Sequence, residues 1–128
     1  MQDEVENWLK ISNYDLRSSE SSFKEGFYSK VVENCHSSIE KLIKGIVVEH
    51  KNEEPPKIHS LLKLVSLTLI ENLADGIKTV LAELDSVYIS TRYPDNFDYI
   101  NELISKEKAK EILDKSKELH KWFLKKIK

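Results

Sequence analysis

An all-α fold, an antiparallel up-and-down bundle of four long helices plus one short helix, is what this sequence predicts, and three observations predict it. Apolar residues recur at alternating steps of three and four, the period of one helix face. Only three glycines and three prolines interrupt the 128 residues, so the segments between them are long. The first two segments are joined by about three residues, a connection that can only turn the chain back on itself.

The first helix is expected from about Asp3 to Ser22, with Val5, Trp8, Leu9, Ser12, Leu16, Ser19 and Phe23 on one face. Gly26 relieves the backbone where that segment ends. A second helix follows from about Phe27 to His50. Its stripe of Phe27, Val31, Cys35, Ile39, Leu42 and Ile46 is widened by Val32, Ile43 and Val47, which predicts a central helix with several neighbours. With the turn centred near Lys24, Trp8 should face Glu40 and Lys41, and Asp15 should face Asn34 and Cys35.

Pro55 and Pro56 stop the helix. A short helix is expected from about His59 to Leu69, then a kink or restart at Glu71-Asn72 and Asp75-Gly76. The next helix runs through Ile77, Val80, Leu81, Leu84, Val87 and Tyr88 to about Ser90. Pro94 interrupts again, and Asn96 to Glu102 reads as loop. Ser105 is placed to cap the last helix, with Glu107 in its first turn and a core stripe from Ala109 to Ile127. No repeat or second domain is visible, so residues 1–128 read as a single domain.

Composition excludes several function classes. The chain is 40% hydrophobic and 33% charged, the balance of a globular protein. Its longest apolar runs, such as Leu67-Thr68-Leu69-Ile70, are far short of the ~20 residues a bilayer requires. The acidic start, Met1-Gln2-Asp3-Glu4, is unlike a signal peptide, and the single Cys35 cannot form an internal disulfide. A cytoplasmic protein is therefore expected. A net charge of -2 exerts no global pull on nucleic acid or membrane. The lysine-rich end from Lys115 to Lys128 suits the negative end of a terminal helix, with a basic rim for an anionic partner as the alternative. The Lys and Glu bias resembles that of thermophile proteins, a weak hint from one chain.

Chemistry is sparse. His36 and Glu40 lie one turn apart, but a helical metal site needs further ligands, and His50, His59 and His120 have no metal-binding spacing. No metal, no cofactor and no phosphate loop are expected. Cys35 reads as a small core residue. Tyr88 to Asp95 departs from packing logic, because it places Arg92, Tyr93 and Asp95 around Pro94 just past a helix end. Arginine is used only twice in a chain where lysine is the general cation, and a planar bidentate fork is a reason to use it. The structural alternative is that Arg92 caps helix carbonyls and pairs with Asp95 or a carboxylate inside the bundle.

Four segments, in order, resemble the HEPN family of small helical domains. Trp8 with Asp15-Leu16 is similar to its first-helix pattern. Asn34 to Lys44, with Glu40-Lys41 ahead of Lys44, resembles its second helix. Pro56-Lys57-Ile58-His59-Ser60-Leu61 resembles its Pro-x-x-His-x-Leu turn, and Arg92-Tyr93-Pro94-Asp95 its Arg-Tyr-Pro-Asp loop. The resemblance implies a bundle of about five helices, a homodimer, and a small nucleotidyltransferase as partner, often in a toxin–antitoxin module. Catalytic branches of the family cut RNA with an arginine followed four to six residues later by a histidine. That motif is absent, since neither Arg92 nor Arg17 is followed by one.

The leading expectation is a non-catalytic subunit that binds a nucleotide or a nucleotide-bearing substrate. Arg92, His59 and Lys41 would contact phosphate, Tyr93 or Trp8 would offer a stacking face, and Asp95 would orient Arg92. Two alternatives stand beside it: a metal-independent ribonuclease using Arg92 with His59, and a structural helical adaptor.

Overall fold

The computed structural model describes residues 2–92 and 97–127. Six helices follow in order: α1 Gln2–Glu25, α2 Tyr28–Lys51, α3 Leu61–Ser66, α4 Asp75–Arg92, α5 Phe97–Leu103 and α6 Lys106–Leu124. The four long helices and the short α3 match the sequence expectation, and the described residues contain no strand.

The α1–α2 turn is closed by hydrogen bonds from Gly26 N to Phe23 O (3.1 Å) and from Phe27 N to Ser22 O (2.9 Å). This crossed pair requires a left-handed residue at its centre, and Gly26 supplies it at φ +79°. Because α1 continues to Glu25, the turn is centred later than expected, and the facing residues shift along α2. Asp15 accepts from Ser37 Oγ at 2.6 Å rather than meeting Asn34 and Cys35. Trp8 packs on Gly45, about a turn beyond Glu40 and Lys41. Ser12 and Ser38, both fully buried, exchange hydroxyl-to-carbonyl bonds of 2.7 and 2.8 Å between the two helices.

Nearly all of α2 from Cys35 to Val48 is buried, and α2 touches every other helix, as its widened stripe predicts. The core gathers Ile39, Leu42, Ile43 and Ile46 with Leu61 and Leu64 of α3, Leu81 and Leu84 of α4, and Ile112 and Phe123 of α6. Cys35 belongs to this core, between Ser19 and Ser116. Burial pushes its thiol up, outweighing the hydrogen bonds of those two serines.

Two local differences have clear causes. The short helix begins only at Leu61, because Ser60 accepts from Lys63 N (3.3 Å) and so caps it. It ends early, where the Thr68 hydroxyl donates to Val65 O at 2.7 Å and accepts from Ile70 N at 3.2 Å. The segment read as loop, Asn96 to Glu102, is largely helix α5. Ile100 and the following Ile104 are buried one turn apart, an apolar repeat too short to stand out beside Asp98 and Glu102.

Candidate functional site

Polar residues inside an apolar bundle need partners, and here they form a set of two adjoining clusters, one around Asp85 and one around Glu40. His36, on α2, is 1% exposed. Its Nε2 lies 2.9 Å from Asp85 Oδ1 on α4, and its ring stacks on Tyr88, with centroids 3.9 Å apart and planes 7° apart. Asp85 also accepts from the first amides of α3, Leu61 N at 2.9 Å and Leu62 N at 3.4 Å, and from Ser60 Oγ at 3.3 Å. One carboxylate thus joins α2, α3 and α4. Burial pushes the Asp85 carboxyl up, but the His36 hydrogen bond and the Leu61 amide outweigh it and hold the group below its ordinary value.

One turn along α2 from His36 is Glu40, which is 2% exposed. Its Oε2 is 3.0 Å from Lys44 Nζ and 3.2 Å from Lys41 Nζ, and its Oε1 is 3.1 Å from His59 Nδ1. Burial raises the Glu40 carboxyl, and the Lys44 bond with the charges of Lys41 and Lys44 more than offsets that, leaving it below its ordinary value. His36 Nδ1 is 3.8 Å from Glu40 Oε1, beyond hydrogen-bond range, and has no partner among the described residues.

Two clefts open over this set. The first, about 230 Å³, is lined by His36, Ser60, Asp85 and Ile89, and the second, about 300 Å³, by Glu33, Asn34, Ser37, Glu40 and Lys41. His59, Tyr88 and Arg92 line both. Arg92, His59 and Lys41 all line the second cleft. Tyr93 and Asp95 lie outside the described residues. Trp8 lines neither cleft: it sits on Gly45, with Lys44 Nζ 5.9 Å from its ring centroid.

Three contributors carry little signal in the sequence. The spacing of His36 and Glu40 suggests only a metal pair, and among the described residues no three His, Cys, Asp or Glu side chains gather to hold a metal. Asp85 was not singled out. Its trace in the sequence is an acid at helical spacing between Leu81 and Tyr88, inside an otherwise apolar stripe. The other histidines are elsewhere. His50 Nδ1 accepts from Leu69 N at 3.0 Å, and His120 is buried on α6, where desolvation lowers its pKa.

No described helix is long and apolar enough to cross a membrane. No curated protein matches the chain. Among solved structures, the chain is similar to the crystal structure of TT1696 from Thermus thermophilus. The two share 21% identity and a TM-score of 0.81, over 96% of this chain and 98% of that one, a likeness of fold. The HEPN domain family matches residues 5–127, the span that holds both clefts and every helix that frames them, and the chain belongs to that family.

Proposed function

We propose that this protein is a non-catalytic HEPN subunit that binds a nucleotide or nucleotide-bearing substrate across the two clefts. The observation that carries the reading is that His59, Tyr88 and Arg92 line both clefts, with Lys41 on the second. Arg92 would take a phosphate through its planar fork, and Lys41 would act as a point charge beside it. Tyr88 takes the aromatic role that the sequence reading gave to Tyr93 or Trp8, since it lines the site. The two carboxylates of the set are held by their own cationic and amide partners, which lessens their repulsion of an anion. Family membership supports a single-domain, dimeric, cytoplasmic protein working with a small nucleotidyltransferase, in a toxin–antitoxin arrangement.

Calorimetry with ATP and GTP tests the binding reading. Saturable binding that is abolished by Arg92→Ala and by His59→Ala is expected. Absence of binding, or binding indifferent to both changes, would leave the structural adaptor. Co-expression with the small nucleotidyltransferase encoded nearest the gene, followed by purification, tests the partnership.

The second reading, a metal-independent ribonuclease, is favoured by one observation: His59, anchored on Glu40, shares a cleft with Arg92. A histidine oriented by a carboxylate next to a guanidinium is competent for acid–base work at a phosphate. Cleavage of an RNA oligonucleotide to cyclic-phosphate ends in the presence of a chelator, lost in Arg92→Ala, would replace the non-catalytic reading.

A further inference from the structure

The side chain of His59 is 64% exposed, yet one of its ring nitrogens is tied to a carboxylate of which only 3% is exposed. Nδ1 lies 3.1 Å from Glu40 Oε1. Glu40 cannot easily turn away, because Lys44 and Lys41 hold its other oxygen at 3.0 and 3.2 Å. Lys44 is fixed in turn beneath Trp8, which reaches the α2 backbone because residue 45 is glycine. An ionised carboxylate only accepts hydrogen bonds, so the nitrogen facing it must carry a proton. The neutral ring therefore keeps its proton at Nδ1, and its neutral and cationic forms differ at Nε2.

We infer that Glu40 is the positioning residue of this site: it holds the His59 proton at Nδ1 and so presents Nε2 to a phosphate ester bound beside Arg92. This rests on the binding reading above. As imidazolium, Nε2 donates to a phosphate oxygen; as neutral imidazole, it accepts from a ligand hydroxyl. The charged and titratable groups that line the clefts with His59 are Glu33, Glu40 and Lys41 from α2, and Asp85, Tyr88 and Arg92 from α4. His36 adds a second imidazole to the first cleft, so the reporter must be the His59 ring itself.

The test combines ring-nitrogen NMR of His59, assigned by loss of its signals in His59→Gln, with calorimetry of a 2′-deoxy dinucleoside monophosphate. That probe is uncleavable by attack of a 2′-hydroxyl and stays a monoanion across the pH range. In the wild-type protein the neutral His59 ring should be the Nδ1–H tautomer. Affinity for the probe should be about tenfold higher with the imidazolium, which makes a charge-assisted bond, than with the neutral ring. In Glu40→Gln the one amide oxygen remains with the lysines and the amide NH2 faces Nδ1. The neutral ring should then switch to Nε2–H, and because Nε2 still donates, the pH dependence should shrink to about two- or threefold. Should Glu40→Gln lose its helical circular dichroism, Glu40→Asp draws the carboxylate back by one methylene, and the same shift toward Nε2–H is expected. A wild-type ring in the Nε2–H form, or a folded Glu40 variant with unchanged tautomer and pH profile, would overturn the inference. If the wild-type protein binds neither this probe nor ATP or GTP, the binding reading falls, while the tautomers still decide the role of Glu40.

Discussion

Replacing Asp85 by alanine should destabilise the bundle more than any change of an exposed charge, and the magnitude can be built from its contacts. Asp85 caps the first turn of α3 through Leu61 N and Leu62 N, and loss of such a cap costs about 1 kcal/mol. It is also the hydrogen-bond partner of buried His36 Nε2, and stranding that nitrogen costs about 1–3 kcal/mol. The expected loss is therefore about 2–4 kcal/mol, a large share of the roughly 5–15 kcal/mol that holds a domain of this size. With an m-value near 2 kcal/mol/M, the urea midpoint at pH 7 should drop by about 1–2 M with the slope unchanged. Asp85→Asn keeps one accepting oxygen and should fall between the two proteins. The pH dependence gives an internal check. Asp85 is held below its ordinary 3.8, so its stabilisation is complete above that value and is lost as pH falls through the lower folded value. The gap between wild type and Asp85→Ala should close there. A midpoint change worth less than about 0.5 kcal/mol at pH 7, or a gap that does not narrow in acid, would refute the reasoning.

Other consequences follow from the same contacts. Ser12→Ala and Ser38→Ala should each cost about 1–2 kcal/mol, and a double-mutant cycle should show coupling of at least ~0.5 kcal/mol, because the two hydroxyls serve each other's helices. Additive losses would mean that the α1–α2 register does not depend on this pair. Gly45→Ala would bring a Cβ to 3.1 Å from Trp8 Cβ, an atom too near its own backbone to move aside. The strain should exceed the ~1 kcal/mol that alanine contributes to helix propensity, so Tm should fall; a rise would show that α1 yields freely. Burial lowers the pKa of His120 from 6.5, so its contribution is whole above 6.5 and is lost as pH falls through the folded value. His120→Leu should therefore flatten the slope of stability against pH just below 6.5, measured by urea titrations at stepped pH.

Helix existence and centrality were legible in the sequence because they rest on local periodicity: the widened stripe of α2 can be satisfied only by neighbours on several sides. Helix α5 was not legible, since the burial of Ile100 and Ile104 depends on where the rest of the bundle lies. The rarity of arginine points to Arg92 and resemblance to a known family adds His59 and Lys41, and these three, drawn from separate helices and a turn, line adjoining clefts. What only tertiary structure decided is what stands behind them. Asp85 and Glu40 look like ordinary solvated acids in a chain one third charged. Packing α4 and the α3 turn against α2 buries Glu40 and half-buries Asp85, and the lost water obliges each carboxylate to find a histidine and further donors. A sequence states which residues carry charge; whether water or another side chain answers that charge depends on contacts between segments far apart in the chain.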